Sequence, residues 1–103
     1  MAKQVSSTVL FKDRTFTNGE EFVSTPITLN SAYGYFSYHC IVSGTIILCP
    51  EVSLDGTHWI SVAEISLSDA QRASPLELPV SSFLRFKVKA NSDGQITLLF
   101  GSV

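Results

Sequence analysis

Asp55-Gly56 stands between two apolar runs, Ile46 to Leu54 and Trp59 to Ile65, and restricts the chain more than any other feature. Asp-Gly favours the tight turn in which both central residues take positive φ, so the pair between β-prone runs predicts a hairpin. The rest of the chain agrees. Val5, Ser7, Val9 and Phe11 alternate against Ser6 and Thr8, and Val23, Thr25, Ile27 and Leu29 against Ser24, Pro26 and Thr28. Phe36, Tyr38, Cys40 and Val42 alternate with Ser37 and His39, and Leu84, Phe86, Val88 and Ala90 with Arg85, Lys87 and Lys89; Ile96, Leu98 and Phe100 close the chain. Asn18-Gly19, Ser43-Gly44-Thr45 and Asp93-Gly94 punctuate these runs. The best helical candidate, Ser68 to Ala73, is one polar turn closed by Pro75. The pattern predicts an all-β fold: a single antiparallel β-sandwich of jelly-roll character over residues 1–103, with roughly seven or eight strands.

A two-residue Asp55-Gly56 loop pairs Leu54 with Thr57 and Val52 with Trp59, which puts Trp59 on the face of Leu54, Val52 and Leu48. At Ser43-Gly44-Thr45 two hairpin registers compete. A two-residue loop sets Cys40 opposite Cys49, where a disulfide could form. A three-residue loop sets Cys40 opposite Leu48 and Val42 opposite Ile46. The second keeps Phe36, Tyr38, Cys40, Val42, Ile46, Leu48, Val52, Leu54 and Trp59 on one face, and a one-residue slip would turn the later apolar set outward. It leaves Cys40 and Cys49 as free thiols. Pro50 cannot donate to a ladder and implies an edge or a bulge, which would shift the register again.

The preferred register gathers Ile41, Ile47, Cys49, Ile60 and Val62 on the opposite face. Either other strands cover that face within the monomer, or it is a subunit interface, since an exposed apolar patch needs a partner. The composition leans the same way: 45 % of residues are hydrophobic and only 16 % charged, so the surface is poor in charge. Tyr33, Tyr35, Phe36 and Tyr38 form an aromatic run in which Tyr33 and Tyr35 share parity with His39. They are either strand packing near a sheet end or a platform for a sugar or a partner. Arg85, Lys87 and Lys89 read as a solvated face or a defended edge.

Several classes are disfavoured. A net charge of −2 with scattered Lys and Arg gives no basic face for nucleic acid. No apolar run approaches the ~18 residues of a membrane span. No apolar signal core follows Met1-Ala2-Lys3-Gln4, and no Asn-x-Ser/Thr sequon occurs, so the expectation is a protein made and kept in the cytosol or exported without a cleavable signal. Two Cys are too few for a disulfide scaffold. Ser53, His58 and Asp55 invite a hydrolase reading, but a nucleophile needs a base oriented by a third group and an oxyanion site, whereas Asp55 is placed to cap its own turn. His39 and Cys40 point to opposite faces, and His39, His58, Cys40 and Cys49 lack zinc-site spacing. Asp13, Glu20, Glu21 and Asp55 lack the pattern of a calcium loop. The expectation is no catalytic residue, no metal and no cofactor.

Ser53-Leu54-Asp55-Gly56-Thr57-His58-Trp59, after Ser43-Gly44-Thr45, resembles a group of small β-sandwich proteins of tailed bacteriophages. In these a Ser-x-Asp-Gly-x-x-Trp hairpin follows a Ser-Gly-Thr-type turn. A later strand similar to Phe83-Leu84-Arg85-Phe86-Lys87-Val88 precedes a Gly-containing turn and a last strand, here Gly94 to Phe100. The resemblance covers Ile27 to Phe100. It implies a virion building block, either a capsid decoration protein or a tail or neck component, made in the host cytoplasm. It carries over no catalytic residue. The partners implied are copies of the same chain and other virion proteins, and the contact residues expected are Ile41, Ile47, Ile60 and Val62, with Tyr33 and Tyr35. The alternative is a non-catalytic carbohydrate-binding or adhesion module, with a glycan held by Tyr33, Tyr35 and nearby loops.

Overall fold

The computed structural model describes residues 8–29, 35–79 and 82–102; Val5 and Tyr33 lie outside them. The strands are β1 (Thr8–Phe16), β2 (Glu21–Val23), β3 (Ile27–Thr28), β4 (Tyr35–Ser53), β5 (Ile60–Ser61), β6 (Ile65–Glu77), β7 (Phe83–Ala90) and β8 (Gly94–Ser102). Every pairing among them is antiparallel.

The organising element is β4. It runs 19 residues without reversing, so Ser43-Gly44-Thr45 is a bend inside one strand and not the expected hairpin. Along one edge it pairs with β6, from Tyr35↔Glu77 to Leu48↔Ile65. Along the other it pairs first with β8, from Ser37↔Ser102 to Ser43↔Gln95, and then with β7, from Ile46↔Ala90 to Ser53↔Phe83. β7 and β8 therefore lie end to end as one interrupted arm. Beyond them β1 pairs with β8, and β2 and β3 pair with β7, as a fourth arm. Four antiparallel arms are thus creased across the middle and folded double. The crease creates two leaves. The first has the order β1, β8, residues 35–43 of β4, residues 70–77 of β6; the second has β2 with β3, β7, residues 46–53 of β4, residues 65–68 of β6. This is the jelly-roll arrangement of a β-sandwich.

The crease is made by local chemistry at the punctuation sites. Gly44 has φ 89° and Gly19 φ 86°, where a side chain is disfavoured, and Asp69 adopts φ 45°. The bends are stitched side by side. Gly44 N–H donates to Asp69 Oδ1 at 2.8 Å, Thr45 N–H to Ser92 Oγ at 2.8 Å and Asn18 N–H to Asp93 Oδ1 at 2.8 Å. Gly19 N–H donates to Ala90 O at 2.9 Å, and Asn91 N–H to Thr45 O at 2.9 Å. Each such bond contributes about 1 kcal/mol net, more where a carboxylate accepts. The expected polar turn at Ser68–Ala73 is the crease of β6, and the strand continues through it.

Folding the leaves together buries the inward rows. Phe36, Tyr38, Cys40 and Val42 from the first half of β4 meet Ile46, Leu48 and Val52 from the second, with Leu84, Phe86, Val88 and Ala90 of β7 and Ile96 and Leu99 of β8. The Phe86 ring sits 6.0 Å from both Phe36 and Tyr38, bridging the leaves. The open side between β1 and β2 is closed by Phe22, 5.3 Å from Phe11 and 6.4 Å from Phe16. Arg14 lies 4.1 Å over the Phe22 ring and pairs with Glu20 at 2.7 Å. Cys40 is in this core and Cys49 is buried on the other side of β4, both free. Burial pushes the Cys40 thiol up to about 11, so it stays protonated and inert.

Several parity expectations are corrected. Val52 pairs with Ile60 and not with Trp59, because the loop joining the strands is wider than a two-residue turn; the edge ladder also slips by one residue between Leu48↔Ile65 and Glu51↔Ser61. Pro50 lies at the slip; its carbonyl accepts the Val62 N–H at 2.9 Å. Trp59 thereby leaves the core row, and Leu54, beyond the end of β4, is 71 % exposed. In β8 a shift between Ile41↔Leu98 and Val42↔Ile96 buries Leu99 and turns Leu98 and Phe100 outward. In β2 and just after it Phe22 and Ser24 face inward while Val23 is exposed. Ser24 Oγ accepts the Phe86 N–H at 2.8 Å, replacing a ladder bond where Pro26 interrupts the edge.

Gly44→Ala tests the crease. A Cβ there would meet Asp93 O at 2.6 Å, whereas at Gly19 nothing lies within 4 Å. Gly19→Ala should cost about 1 kcal/mol from φ alone, and Gly44→Ala about 2–4 kcal/mol, as read by urea denaturation of the two variants.

Candidate functional site

The two leaves present outer faces of opposite character. On the second leaf the outward rows carry ion pairs that link β7 to β4 and to β2. Arg85 Nε donates to Glu51 Oε1 at 2.7 Å, and Lys87 Nζ lies 3.1 Å from Glu21 Oε1. Trp59, displaced from the core by the register slip, lies under the Arg85 guanidinium at 4.2 Å. The indole face is occupied by that cation. Ile47 lies between Lys89 and Ser66 in the ladders, and Cys49 beside Lys87. This is the solvated face expected for Arg85, Lys87 and Lys89.

On the first leaf the outward rows are uncharged at their centre. Val9, Phe100, His39 and Ala73 are in register across β1, β8, β4 and β6, and Lys12, Leu98, Ile41 and Gln71 form the next row. Ser102, Ser37 and Pro75 form a third. The His39 and Phe100 rings lie 5.1 Å apart at 32°. His39 Nε2 is 3.0 Å from Gln71 Nε2, the imidazole nitrogen accepting an amide hydrogen when the ring is neutral. Val9 is 57 % exposed. A shallow depression of about 250 Å³ is lined by Ser37, His39, Ala73, Phe100 and Ser102 with the backbone beneath. Among the described residues the only cation in the three rows is Lys12, at the β1 edge.

The residues expected to form one contact patch are distributed over the molecule. Ile41 is on the first leaf beside Leu98, and Ile47 on the second between charged and hydroxyl neighbours. Val62 packs against the core. Ile60 is 69 % exposed at the end of the sandwich, in a cleft of about 330 Å³ with Val52, Leu54 and Pro79. Tyr35 opens β4 opposite Glu77, and Tyr33 lies outside the described residues. The side chains that adjoin Ile41 were missed as a group. His39 shares its parity, a signal present in the sequence, but Val9, Leu98 and Phe100 join it only through pairings across the whole chain.

The Ser53–Trp59 segment is a loop built around one carboxylate. Asp55 Oδ1 accepts the N–H groups of Thr57 and His58, each at 2.8 Å, and the Ser53 hydroxyl at 3.0 Å. His58 Nδ1 lies 2.6 Å from Asp55 Oδ2. Ser53 Oγ in turn accepts Gly56 N–H at 2.9 Å. Gly56 has φ 80° and lies against the Phe83 ring. Asp55 thus caps its own loop as expected, but the loop is wider than the two-residue turn expected. This is not the Ser–His pairing of a hydrolase: the buried Ser53 hydroxyl gives its hydrogen to the Asp55 carboxylate and not to His58, and that carboxylate is held well below the usual range, which makes it a weak base. Among the described residues no three His, Cys, Asp or Glu side chains are placed to hold a metal ion, and no helix is long and apolar enough to cross a membrane.

No protein-family model and no curated protein matches this chain. Among solved structures it is similar to a mutant of a family 29 carbohydrate-binding module complexed with mannohexaose, at 16 % identity over 97 % of this chain and 93 % of that one, with TM-score 0.48. It is also similar to a structure of carbohydrate-binding module family 29, at 16 % identity over 97 % and 90 % of the two chains and TM-score 0.48. At that identity the likeness concerns the fold alone and says nothing of the outer faces.

The Asp55 loop yields a pH test. The His58 backbone N–H, then the His58 ring and the Thr57 N–H, hold the Asp55 carboxyl well below the usual carboxylate range. Its folded value is depressed, so its contribution is present above the unfolded value near ~3.9 and fades as pH falls toward the folded value. Asp55→Asn should lower the melting temperature at pH 7, and the gap to the unsubstituted protein should narrow below about pH 4. Thermal melts across pH 2.5–7 read both effects.

Proposed function

We propose that this chain is a non-catalytic structural component of a tailed-bacteriophage particle, a capsid decoration or tail or neck protein. It acts by docking the outer face of its first leaf onto a second copy of itself and onto other virion proteins. The observation that carries the contact reading is the contrast between the two faces. One carries the Arg85–Glu51 and Lys87–Glu21 ion pairs. The other carries Val9, Leu98, Ile41, His39 and Phe100 in register around a centre without charge. Charge depletion at the centre of a patch, with aromatic and aliphatic side chains, characterises interfaces. The molecule is a slab of 39 × 36 × 18 Å, so one broad face exceeds the roughly 800 Å² per partner that a standard interface buries. The virion assignment rests on the Ser53–Trp59 resemblance and on the jelly-roll order of the arms. The carboxylate-centred loop explains Ser53, Asp55 and Gly56 of that motif, so the motif speaks for shared loop architecture and not for a reaction.

The depression beside His39 and Phe100 favours a second reading. Ser37 and Ser102 line it beside Phe100 and Ala73, which suits a glycan that stacks one face and hydrogen-bonds at its rim.

Light scattering and equilibrium sedimentation at pH 8 separate the two. The contact reading expects concentration-dependent self-association that weakens about thirtyfold or more, a loss of ~2 kcal/mol, in Ile41→Asp/Leu98→Asp. Ile60→Asp, on the cleft at the end of the sandwich, should leave it unchanged, with circular dichroism confirming that all variants fold. A monomer at every concentration that shows saturable binding on a glycan array would replace the contact reading with the second.

A further inference from the structure

We infer that the outer face of the second leaf carries a binding site for a small zwitterion, an ω-amino acid, in the cleft over Cys49. Lys89 takes the carboxylate of the ligand and Glu64 its ammonium. The site lies across the sandwich from the first-leaf face and does not depend on the contact reading.

The cleft, of about 290 Å³, is lined by Cys49, Glu51, Ser61, Glu64, Lys87 and Lys89. Register explains its shape. Cys49 is the short side chain in the outward row of β4, with Lys87 directly across the ladder on β7 and Lys89 one outward position along. On the other side of β4, Ser61 pairs with Glu51, and the extra residue of the slip brings 62–64 opposite 49–50. Glu64 stands in that bulge. A short residue among long charged ones leaves a hollow over its thiol, and Cys49 is 3 % exposed at the floor. The thiol is no nucleophile here, because burial pushes it up and keeps it protonated.

The four charges of the cleft differ in what already holds them. Glu51 accepts from Arg85 at 2.7 Å, and Lys87 lies 3.1 Å from Glu21, so these two are neutralised by residues outside the cleft. Among the described residues Lys89 and Glu64 make no ion pair. Glu21 is in register with Lys89 across the β2–β7 ladder, yet its carboxylate goes to Lys87. Lys89 is half-buried, where an ammonium without an anion is costly. Lys89 and Glu64 flank β4 from opposite sides, two strand spacings or ~10 Å apart at the backbone.

A cation and an anion left open at the two ends of one hollow complement a ligand that carries the opposite charges at its own ends. A simple anion would meet Glu51 and Glu64, and a simple cation Lys87 and Lys89; a zwitterion satisfies both ends. Ser61 Oγ donates to Ala63 O at 3.2 Å and keeps lone pairs for the ligand's ammonium. The volume is at the small end of ligand cavities, and the charges are half-exposed or exposed, so the expected dissociation constant is about 1–10 mM.

An NMR titration of the full chain tests this, with glycine, β-alanine, 4-aminobutanoate and 5-aminopentanoate as probes and pentanoate and pentylamine as controls. The inference expects saturable shifts at the amides of Cys49, Glu64 and Lys89 with at least one of the amino acids. Both controls should bind about tenfold more weakly or less well still. Lys89→Met and Glu64→Gln, each folded by circular dichroism, should each weaken the amino acid about tenfold. Absence of saturable shifts with all four amino acids overturns the site. Pentanoate binding as well as 5-aminopentanoate, unchanged in Glu64→Gln, makes this a simple anion site and overturns the zwitterion. Binding that persists undiminished in both variants places the ligand elsewhere and overturns the assignment of Lys89 and Glu64.

Discussion

The rest of the structure depends on the crease through Gly44. A 19-residue strand that ran straight would leave its apolar row facing water, since one sheet cannot cover itself. Bending β4 at a position with φ 89° lets one strand belong to two leaves and places Phe36 and Tyr38 over Phe86. The bend is shared by all four arms. Asp69, Ser92 and Asp93 each spend a side-chain oxygen on a backbone N–H of the neighbouring arm, so no strand can crease without its neighbours. Backbone groups that a kinked ladder would leave unpaired are satisfied in this way.

The crease also determines which surfaces are available. Because each arm contributes to both leaves, the outward residues of one strand are split between two faces with different neighbours. Ile41 and Ile47 are six positions apart with equal parity, yet Ile41 adjoins Leu98 while Ile47 adjoins Lys89. The neighbour across the ladder, and not the residue itself, decides whether an outward isoleucine belongs to an apolar patch or to an ion-paired surface. Trp59 shows the same effect. One extra residue opposite Pro50, where 62–64 face 49–50, puts it in the outward row, where the Arg85 guanidinium covers its ring.

The Ser53–Trp59 motif and the first-leaf face divide structure from function. The motif is dense in chemistry-bearing residues, but its hydrogen bonds all close on Asp55 and Ser53. The face contains none of the residues that announce a reaction, and its coherence comes from register.

What the sequence by itself determined is parity. Even-numbered residues of 36–52 face inward whether Ser43-Gly44-Thr45 is a three-residue turn or a bend, because both preserve the alternation; the core row of β4 was therefore legible while its topology was not. β7 was legible in full, since Leu84 to Ala90 alternates without interruption. Asp55 as a loop cap was legible because its partners lie within three residues. Tertiary structure decided everything that depends on pairing across long separations: that Gly44 bends a strand, that Asp69 creases another, that Leu99 replaces Leu98 in the core, and that Val9, His39, Leu98 and Phe100 share a face. The physical reason is that alternation is a local property of a pleated strand, whereas the side on which a neighbour lies, and the one-residue slips at Pro50 and in β8, are settled by which packing of the whole sheet buries the most apolar surface.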